Sequence, residues 1–159
     1  MPFAISVENI TKSFEENRII DDVSFKLVPG TSSVIVGPAA SGKSLLLKCI
    51  LGLIPIDSGN ISINGLTGIN RLEEMNNVGV MFQENALFDS LTVWENITFR
   101  LINQKRISEK TAKSIAREKL SQVHLNNDSF NKYPAELSGG MQKRVSLARA
   151  LVTDPQILL

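Results

Sequence analysis

Residues 37–44 read Gly37-Pro38-Ala39-Ala40-Ser41-Gly42-Lys43-Ser44, and no other stretch of the chain says as much about its architecture. It matches G-x-x-x-x-G-K-[ST] in full, and it lies between a β-branched run (31–36) and an apolar helix candidate (44–53). Glycine allows backbone N–H groups to point inward at a phosphate, and the positive end of the following helix faces the same anion. In such a loop Lys43 reaches the β- and γ-phosphates, and the Ser44 hydroxyl ligates Mg²⁺. The stretch therefore predicts a nucleotide site, with all eight residues around the phosphates.

The composition is that of a globular chain of one domain's size. The chain has 159 residues, of which 43% are hydrophobic and 21% charged, and this excludes disorder and fibrous repeats. Lys and Arg total 17 against 16 for Asp and Glu, a balance that argues against a dedicated nucleic-acid binder. A single cysteine, Cys49, cannot form an internal disulfide or a zinc cluster. The most apolar stretch (45–56) is too short to cross a bilayer, so we expect a cytosolic protein.

Strand patterns dominate the first part of the chain. Polar and apolar residues alternate at 5–8, and a second run covers 19–28. Residues 60–63 form a short strand candidate before an Asn64-Gly65 turn, which is typical of a hairpin. A further short buried strand is predicted at 78–82.

Helix signals dominate the rest of the chain. Thr92 and Glu95 form a capping-box pattern that opens a helix toward Leu101, and Ser108 caps a second helix with an apolar face. A third helix begins after Ser138, and residues 156–159 begin a hydrophobic strand.

The third helix opens with a second glycine motif, Leu-Ser-Gly-Gly-Met at 137–141. Ser138 is a good N-cap, and Gly139 and Gly140 leave the first helical N–H groups accessible to a phosphate. A helical segment that holds the two anion sites apart within one chain would favour a head-to-tail pair of chains, each completing the other's nucleotide site. A plain capped helix is the alternative interpretation of the same residues.

The phosphate loop, then Gln83 after a short strand, then Leu-Ser-Gly-Gly before a helix, together resemble the ABC ATPase family over the whole chain. The resemblance implies an α/β P-loop NTPase fold with an N-terminal antiparallel β subdomain, a helical insert and an incomplete core sheet. It implies one domain over 1–159, divided into a β and P-loop core (1–91), a helical subdomain (92–137), and a signature helix with the start of a strand (138–159). ATP and Mg²⁺ are the implied cofactors.

The resemblance also assigns roles to single residues. Gln83 would touch Mg²⁺ and the attacking water, and it would act with Lys43 as a catalytic residue. Phe14 stands where the family places an aromatic that stacks on adenine. Ser138, Gly139, Gly140 and Met141 would contact the nucleotide held by the opposing subunit.

A narrower resemblance concerns residues 80–97 and Met141, which are similar to ATPases of Mla-type phospholipid transporters. It implies a homodimer of ATPase subunits on a membrane permease, at the cytoplasmic side of the inner membrane. An MCE-class lipid-binding protein and a small STAS-domain protein would be further partners, and lipid would be the cargo.

The sequence departs from the family at its last residues, Ile157-Leu158-Leu159, which lie inside the family's Walker B strand. The acidic residues and the switch histidine that come next in relatives are therefore absent, and we expect weak nucleotide binding and no turnover from the chain as written. We also expect an exposed apolar surface and poor solubility. Three alternatives remain open: a soluble ABC ATPase of DNA repair or translation, an unrelated P-loop kinase, and an inactive nucleotide-binding fragment.

Four features outside the motifs have ordinary structural interpretations. Cys49 is predicted to lie in the core and Trp94 to serve packing, while His124 is predicted at a surface or helix end. Residues 104–119 hold six basic and two acidic side chains, a pattern that favours a solvated helix face over contact with anionic lipid or RNA.

Overall fold

The computed structural model describes residues 4–105 and 107–159, which form two compact units. The first unit runs to Met75, and the second covers Asn76–Leu159. Residues 1–3 and Arg106 lie outside the described residues.

The first unit is built on a four-stranded antiparallel sheet in the order β2-β1-β3-β4. Its strands are β1 (Ile5–Phe14), β2 (Asn17–Leu27), β3 (Ser58–Ile63) and β4 (Leu66–Thr67). Ile5 pairs with Leu27 on one side and with Ile63 on the other. The apolar residues of β1 and β3 that face inward are fully buried, so the alternation seen in the sequence builds one packed sheet face. The predicted antiparallel β subdomain is confirmed.

The Asn64-Gly65 turn is also confirmed. Both residues adopt positive φ, 49° at Asn64 and 83° at Gly65, and they join β3 to β4. This is the backbone that a two-residue hairpin requires.

The β-branched run at 31–36 predicts a strand before the phosphate loop, and this prediction is wrong. Residues 31–38 form no strand, and Val34 and Val36 are 82% and 84% exposed. A strand needs ladder partners, and none of the described residues pairs with this stretch. β-branched composition is therefore not enough to make a strand where no described segment pairs with it.

The phosphate loop leads into helix α1 (Lys43–Ile50), which packs Leu46, Cys49 and Ile50 into the core of the first unit. A 3₁₀ segment, Gly68–Asn77, leads into the second unit. Helix α1 ends three residues earlier than predicted, because the chain turns at Gly52, where φ is +73°.

The second unit packs three helices: α2 (Val93–Lys105), α3 (Glu109–Gln122) and α4 (Gly139–Leu151). Between α3 and α4 lie two 3₁₀ turns, Asn127–Ser129 and Pro134–Glu136. Their shared core consists of side chains from all three helices and from the segments beside them: Val93, Ile97, Leu101, Ala116, Leu120, Val123, Phe130, Leu137, Val145, Ala148 and Val152. The predicted apolar face of α3 is thus confirmed, and the third helix, α4, also buries an apolar face with Val145 and Ala148.

Two short parallel strands, β5 (Val78–Gly79) and β6 (Ile157–Leu158), complete this unit. Each is shorter than its predicted run, although the Met81 N–H still donates to the Leu159 carbonyl oxygen at 2.7 Å. The incomplete core sheet expected from the sequence is thus present as a two-stranded parallel sheet.

Helix starts agree with the predicted caps. Glu95 accepts hydrogen bonds from both the Thr92 N–H, at 2.7 Å, and the Thr92 hydroxyl, at 2.6 Å. Ser108 accepts from the Thr111 N–H at 3.2 Å, at the start of α3. No helix among the described residues is both long and apolar enough to span a membrane.

Candidate functional site

The phosphate loop opens onto a cavity of about 400 Å³ in the first unit. The walls come from the loop, from α1, and from the strands and turns beside them: Phe14, Ile19, Ala40, Ser41, Gly42, Lys43, Ser44, Leu45, Lys48 and Ile54. A cavity of this size accommodates a small ligand such as a nucleotide.

Backbone conformation shapes the loop at two nearby positions. Gly42 has φ +88°, and a Cβ there would lie 3.1 Å from the Ile19 methyl and 3.3 Å from the Ile19 carbonyl oxygen. The positive φ therefore favours glycine, and a Cβ would in addition crowd Ile19. Ala40 also has positive φ, 60°, which is unfavourable for alanine and is typical of backbone held under strain at functional sites.

Lys43 is held by its own loop. Its ammonium donates to the carbonyl oxygens of Gly37, at 2.9 Å, and Pro38, at 2.6 Å, and to the Ser41 hydroxyl, at 3.3 Å. Three N–H donors thus meet three oxygens. Phosphate oxygens can take the place of these acceptors, and the neighbouring residue, Ser44, is exposed and carries a hydroxyl oxygen that can ligate a cation.

Phe14 lies on the same cavity as the phosphate loop. Its ring is 46% exposed at the end of β1, and the Lys12 ammonium stands 5.4 Å from the ring centroid. A half-exposed aromatic face beside a phosphate loop can stack on a base. Ile19, Lys48 and Ile54 line the cavity too, and they were not predicted, because an apolar or basic residue beside a motif carries no signal of its own.

Gln83 belongs to the second unit, in a turn that comes after β5, and its side chain is exposed. Nearby, Asn85 and Ala86 both have positive φ, 59° and 48°. The turn therefore adopts a backbone that its residue types disfavour.

The second glycine motif also belongs to the second unit. The Ser138 hydroxyl accepts from the Met141 N–H at 3.3 Å, so Ser138 is the N-cap of α4 as predicted. Gly139 and Gly140 are exposed, and a Cβ at either would meet no atom of the described chain within 4 Å. The fold of this chain does not itself require glycine there, although two glycines destabilise a helix end by about 0.5–1 kcal/mol each.

The predicted site residues thus fall into two groups. Phe14 and residues 40–44 of the phosphate loop line one cavity in the first unit, and residues 37–39 belong to that unit without lining the cavity. Gln83 and residues 138–141 lie in the second unit. Met141 is half-buried against the helical core, and Ser138, Gly139 and Gly140 are exposed.

Three residues outside the motifs behave as predicted. Cys49 is fully buried, and burial raises the pKa of its thiol. Trp94 stacks on Phe130 with ring centroids 6.2 Å apart. His124 is exposed just after α3, where its carbonyl oxygen accepts from Arg144 at 2.9 Å.

The prediction of a solvated basic face on residues 104–119 is wrong in part. Lys119 is only 3% exposed and donates to Asp154 at 2.5 Å. Lys113 lies 4.9 Å from the Trp94 ring centroid, and the Arg117 guanidinium lies 4.5 Å from that of Phe130. Long basic side chains bury their stems on apolar surface, so a run of charges in sequence does not map onto one solvated face. The Lys105 side chain and Arg106 lie outside the described residues.

A loop of this pattern that leads into a helix and lines a cavity of nucleotide size defines a P-loop nucleotide-binding protein. The family model for ABC transporters matches residues 20–159, and the chain belongs to that family. ABC ATPases bind ATP with Mg²⁺ and hydrolyse the nucleotide.

Among curated proteins, the chain is 43% identical over 164 residues to the probable ribonucleotide transport ATP-binding protein mkl of Mycobacterium leprae. It is 39% identical over 166 residues to the chloroplastic protein trigalactosyldiacylglycerol 3 of Arabidopsis thaliana. These alignments cover 100% and 98% of the chain but 47% and 48% of the relatives. The chain thus spans about half the length of the curated relatives it matches.

Solved structures confirm the fold. The chain matches the dimeric, post-hydrolysis structure of the ATP-binding cassette MJ0796 bound to ADP and Pi, with a TM-score of 0.87 and 30% identity over 97% of this chain and 72% of that one. It also matches cbiO1 of Clostridium perfringens, part of the cbiONQ transporter complex, with a TM-score of 0.84 over 99% of this chain and 64% of that one. At 22% identity the second match shows the fold alone. The α/β ABC ATPase fold is confirmed.

Proposed function

We propose that the chain is the ATP-binding part of a subunit that hydrolyses ATP to power a membrane transporter. The observation that carries this proposal is the shared cavity, which brings the predicted base-stacking aromatic Phe14 to the phosphate loop. Their positions in sequence are far apart, so their meeting on one cavity is a result of folding.

Within this site each residue has a distinct task. The Lys43 ammonium exchanges its loop oxygens for phosphate oxygens, and Gly42 supplies the left-handed backbone that leads into α1. Ser44 would hold Mg²⁺, which neutralises phosphate charge when bound. Gln83 would orient the attacking water, a role that rests on the family resemblance.

Measuring nucleotide affinity tests whether the phosphate loop binds ATP through Lys43. Lys43→Met should weaken binding of a fluorescent ATP analogue about 10- to 100-fold, because a charge-assisted interaction with phosphate is lost. Lys110→Met is the matched control, since it removes an exposed lysine on α3. Equal affinities for the two variants would contradict the proposal.

We further propose that two chains form the complete site. The glycines at 139 and 140 meet open space on their own chain, which favours an external group that approaches the α4 backbone. The dimeric form of the ATP-binding cassette MJ0796 supports this arrangement. Each nucleotide would then lie between the phosphate loop of one chain and the Ser138 cap of the other.

The proposed cargo is lipid, and the proposed location is the cytoplasmic face of the inner membrane, on a permease dimer. An MCE-class lipid-binding protein and a STAS-domain protein are the further proposed partners. Support comes from the likeness of residues 80–97 to Mla-type ATPases and from the Arabidopsis relative, whose name is that of a glycolipid. Other relatives are named for ribonucleotide, sulfate/thiosulfate and spermidine/putrescine transport.

Co-purification of the full protein from membranes tests the partners and cargo. The eluate should contain a permease and an MCE-class protein, and the reconstituted complex should hydrolyse ATP faster when phospholipid is supplied. Stimulation by sulfate, spermidine or ribonucleotide instead of phospholipid would refute the lipid assignment while leaving the ATPase assignment intact.

A further inference from the structure

The loop after Gln83 contains an unfavourable turn. Asn85 and Ala86 both occupy left-handed backbone, and the Ala86 N–H reaches back to the Glu84 carbonyl oxygen at 2.6 Å. Neither residue is glycine, so this conformation persists only where neighbouring groups hold it.

Helix α4 supplies such groups. The two terminal nitrogens of Arg149 donate to adjacent carbonyl oxygens, at 2.6 Å to Ala86 and 2.7 Å to Asn85. The fully buried Ser146 hydroxyl also donates to the Asn85 oxygen, at 3.0 Å. The planar guanidinium spans two oxygens that this turn places side by side. Burial lowers the pKa of Arg149, so the guanidinium is partly withdrawn from water where it donates to these two oxygens.

Helix α2 holds the other end of the same loop. Asn96 is fully buried, and its amide nitrogen donates to the carbonyl oxygens of Phe88, Leu91 and Thr92 at 3.0, 2.9 and 3.1 Å. Its amide oxygen accepts from the Phe88 N–H at 2.8 Å. The loop is therefore fixed to one helix at 85–86 and to another at 88–92.

We propose that Arg149, together with Ser146, is a positioning residue that holds Gln83 and ties its movement to the Ser138 cap on the same helix. Eleven residues of one helix separate Ser138 from Arg149, about 16 Å along the axis, so the two ends move as one body. This proposal rests on the proposed function, in which Gln83 and the Ser138 cap both serve ATP hydrolysis. A displacement of the cap by a partner's nucleotide would then be transmitted to Gln83 through Arg149.

Hydrogen exchange of the full protein without nucleotide tests the clamp itself. Arg149→Met should speed exchange at 83–88 roughly tenfold or more, because the turn loses both guanidinium bonds, while the amides of α2 and α3 stay protected. The control is Arg144→Met, which removes an arginine of the same helix that donates to the His124 carbonyl oxygen. Equal exchange at 83–88 in the two variants would overturn the proposal. Arg149→Lys keeps the charge, but a single ammonium cannot reproduce the planar guanidinium that spans both oxygens. This variant should therefore also speed exchange at 83–88.

Steady-state kinetics of the full protein test whether Arg149 affects hydrolysis through the position of Gln83 or only through the stability of the fold. Arg149→Met should lower kcat at least about tenfold and leave the KM for ATP within about twofold, since the phosphate loop is untouched. In a Gln83→Ala background the same change should have little further effect on kcat. An equal loss in both backgrounds would show that Arg149 acts independently of Gln83 and would overturn the proposal. If Lys43→Met did not weaken ATP binding, the proposed function would be refuted. The hydrogen-exchange result would still stand, because that experiment is done without nucleotide.

Discussion

Glycine has opposite roles at two positions of this chain. Gly42 is favoured by its own fold, because φ is +88° and a Cβ there would lie only 3.1 Å from the Ile19 methyl. Gly140 meets open space and lies at the start of a helix. The first glycine shapes the phosphate loop, whereas a Cβ at the second would meet no atom of the described residues within 4 Å.

Alanine substitution should separate the two roles. Gly42→Ala should lower the free energy of unfolding by about 1–2 kcal/mol, because a left-handed alanine is strained. Gly140→Ala should raise it by about 0.5–1 kcal/mol and still abolish ATP hydrolysis by the full protein. Urea denaturation and an ATPase assay measure both quantities. A loss of stability in Gly140→Ala would show that the glycine serves the fold.

Asp57 gives the first unit a pH-dependent contact. Its carboxylate accepts from the Lys12 ammonium at 2.6 Å and from the Ser13 N–H at 2.7 Å. The Lys12 hydrogen bond, and to a lesser extent that of Ser13, lowers the pKa of Asp57 below its ordinary value of 3.8. A lowered carboxyl pKa stabilises the fold above the unfolded-state pKa, and this contribution is lost as the pH falls through the folded-state pKa.

The comparison of Asp57→Asn with the natural chain tests this contact. The variant should be less stable at neutral pH, and the difference should stay constant down to about pH 5. Below about pH 4 the difference should shrink, because protonation removes the same negative charge from the natural chain. Urea denaturation of both proteins from about pH 3 to pH 7 measures this difference in the free energy of unfolding. A difference that does not depend on pH would contradict the interpretation.

At the scale of elements, α3 and α4 begin with the same kind of serine cap. Ser108 and Ser138 each accept from the N–H three residues later, at 3.2 and 3.3 Å. The two caps should therefore stabilise their helices by similar amounts. Only the cap at Ser138 is followed by two glycines.

Matched substitutions isolate that difference. Ser108→Ala and Ser138→Ala should each lower the free energy of unfolding by about 1 kcal/mol. Only Ser138→Ala should also reduce ATP hydrolysis by the full protein, because its hydroxyl would face the partner's nucleotide. Equal hydrolysis by the two variants would leave Ser138 with a capping role alone.

The turn at 85–86 offers an element-level test of strain. Ala86→Gly should leave the free energy of unfolding unchanged or raise it by up to about 1 kcal/mol, because relief of left-handed strain offsets the greater freedom of the unfolded chain. Ala116→Gly, in the buried face of α3, is the control and should lower it by about 1 kcal/mol or more. Equal losses in the two variants would mean that Ala86 is not strained.

At the scale of the whole molecule, the proposed site needs two chains. Full-length Lys43→Met and Ser138→Arg variants should each be inactive alone, since every site contains one damaged half. In an equal mixture half of the dimers contain one chain of each variant, and one of the two sites in such a dimer is intact. About a quarter of all sites should therefore be intact, and the mixture should regain about a quarter of the unmutated activity. ATP hydrolysis before and after mixing measures this recovery. No recovery would argue that both halves come from one chain.

Local patterns predicted much of the fold. The caps at Ser108 and Ser138, the Asn64-Gly65 turn and the phosphate loop were predictable, because each depends on residues within a few positions of one another. The burial of Cys49 and the apolar faces of α3 and α4 agree with periodicity for the same reason.

Long-range contacts were not predictable in this way. Arg149 lies 63 and 64 residues from the carbonyl groups it binds, and Lys119 lies 35 residues from Asp154. The absence of a strand at 31–36 also depends on which segments pair beside it.

The phosphate loop and the capped glycine motif are properties of the amino-acid sequence alone, since both are local and each works through its own backbone. Folding was needed to bring Phe14 onto the cavity of that loop and to set Arg149 against the turn after Gln83. Hydrogen-bond geometry and burial between distant residues depend on how the elements pack, and no short pattern encodes that packing.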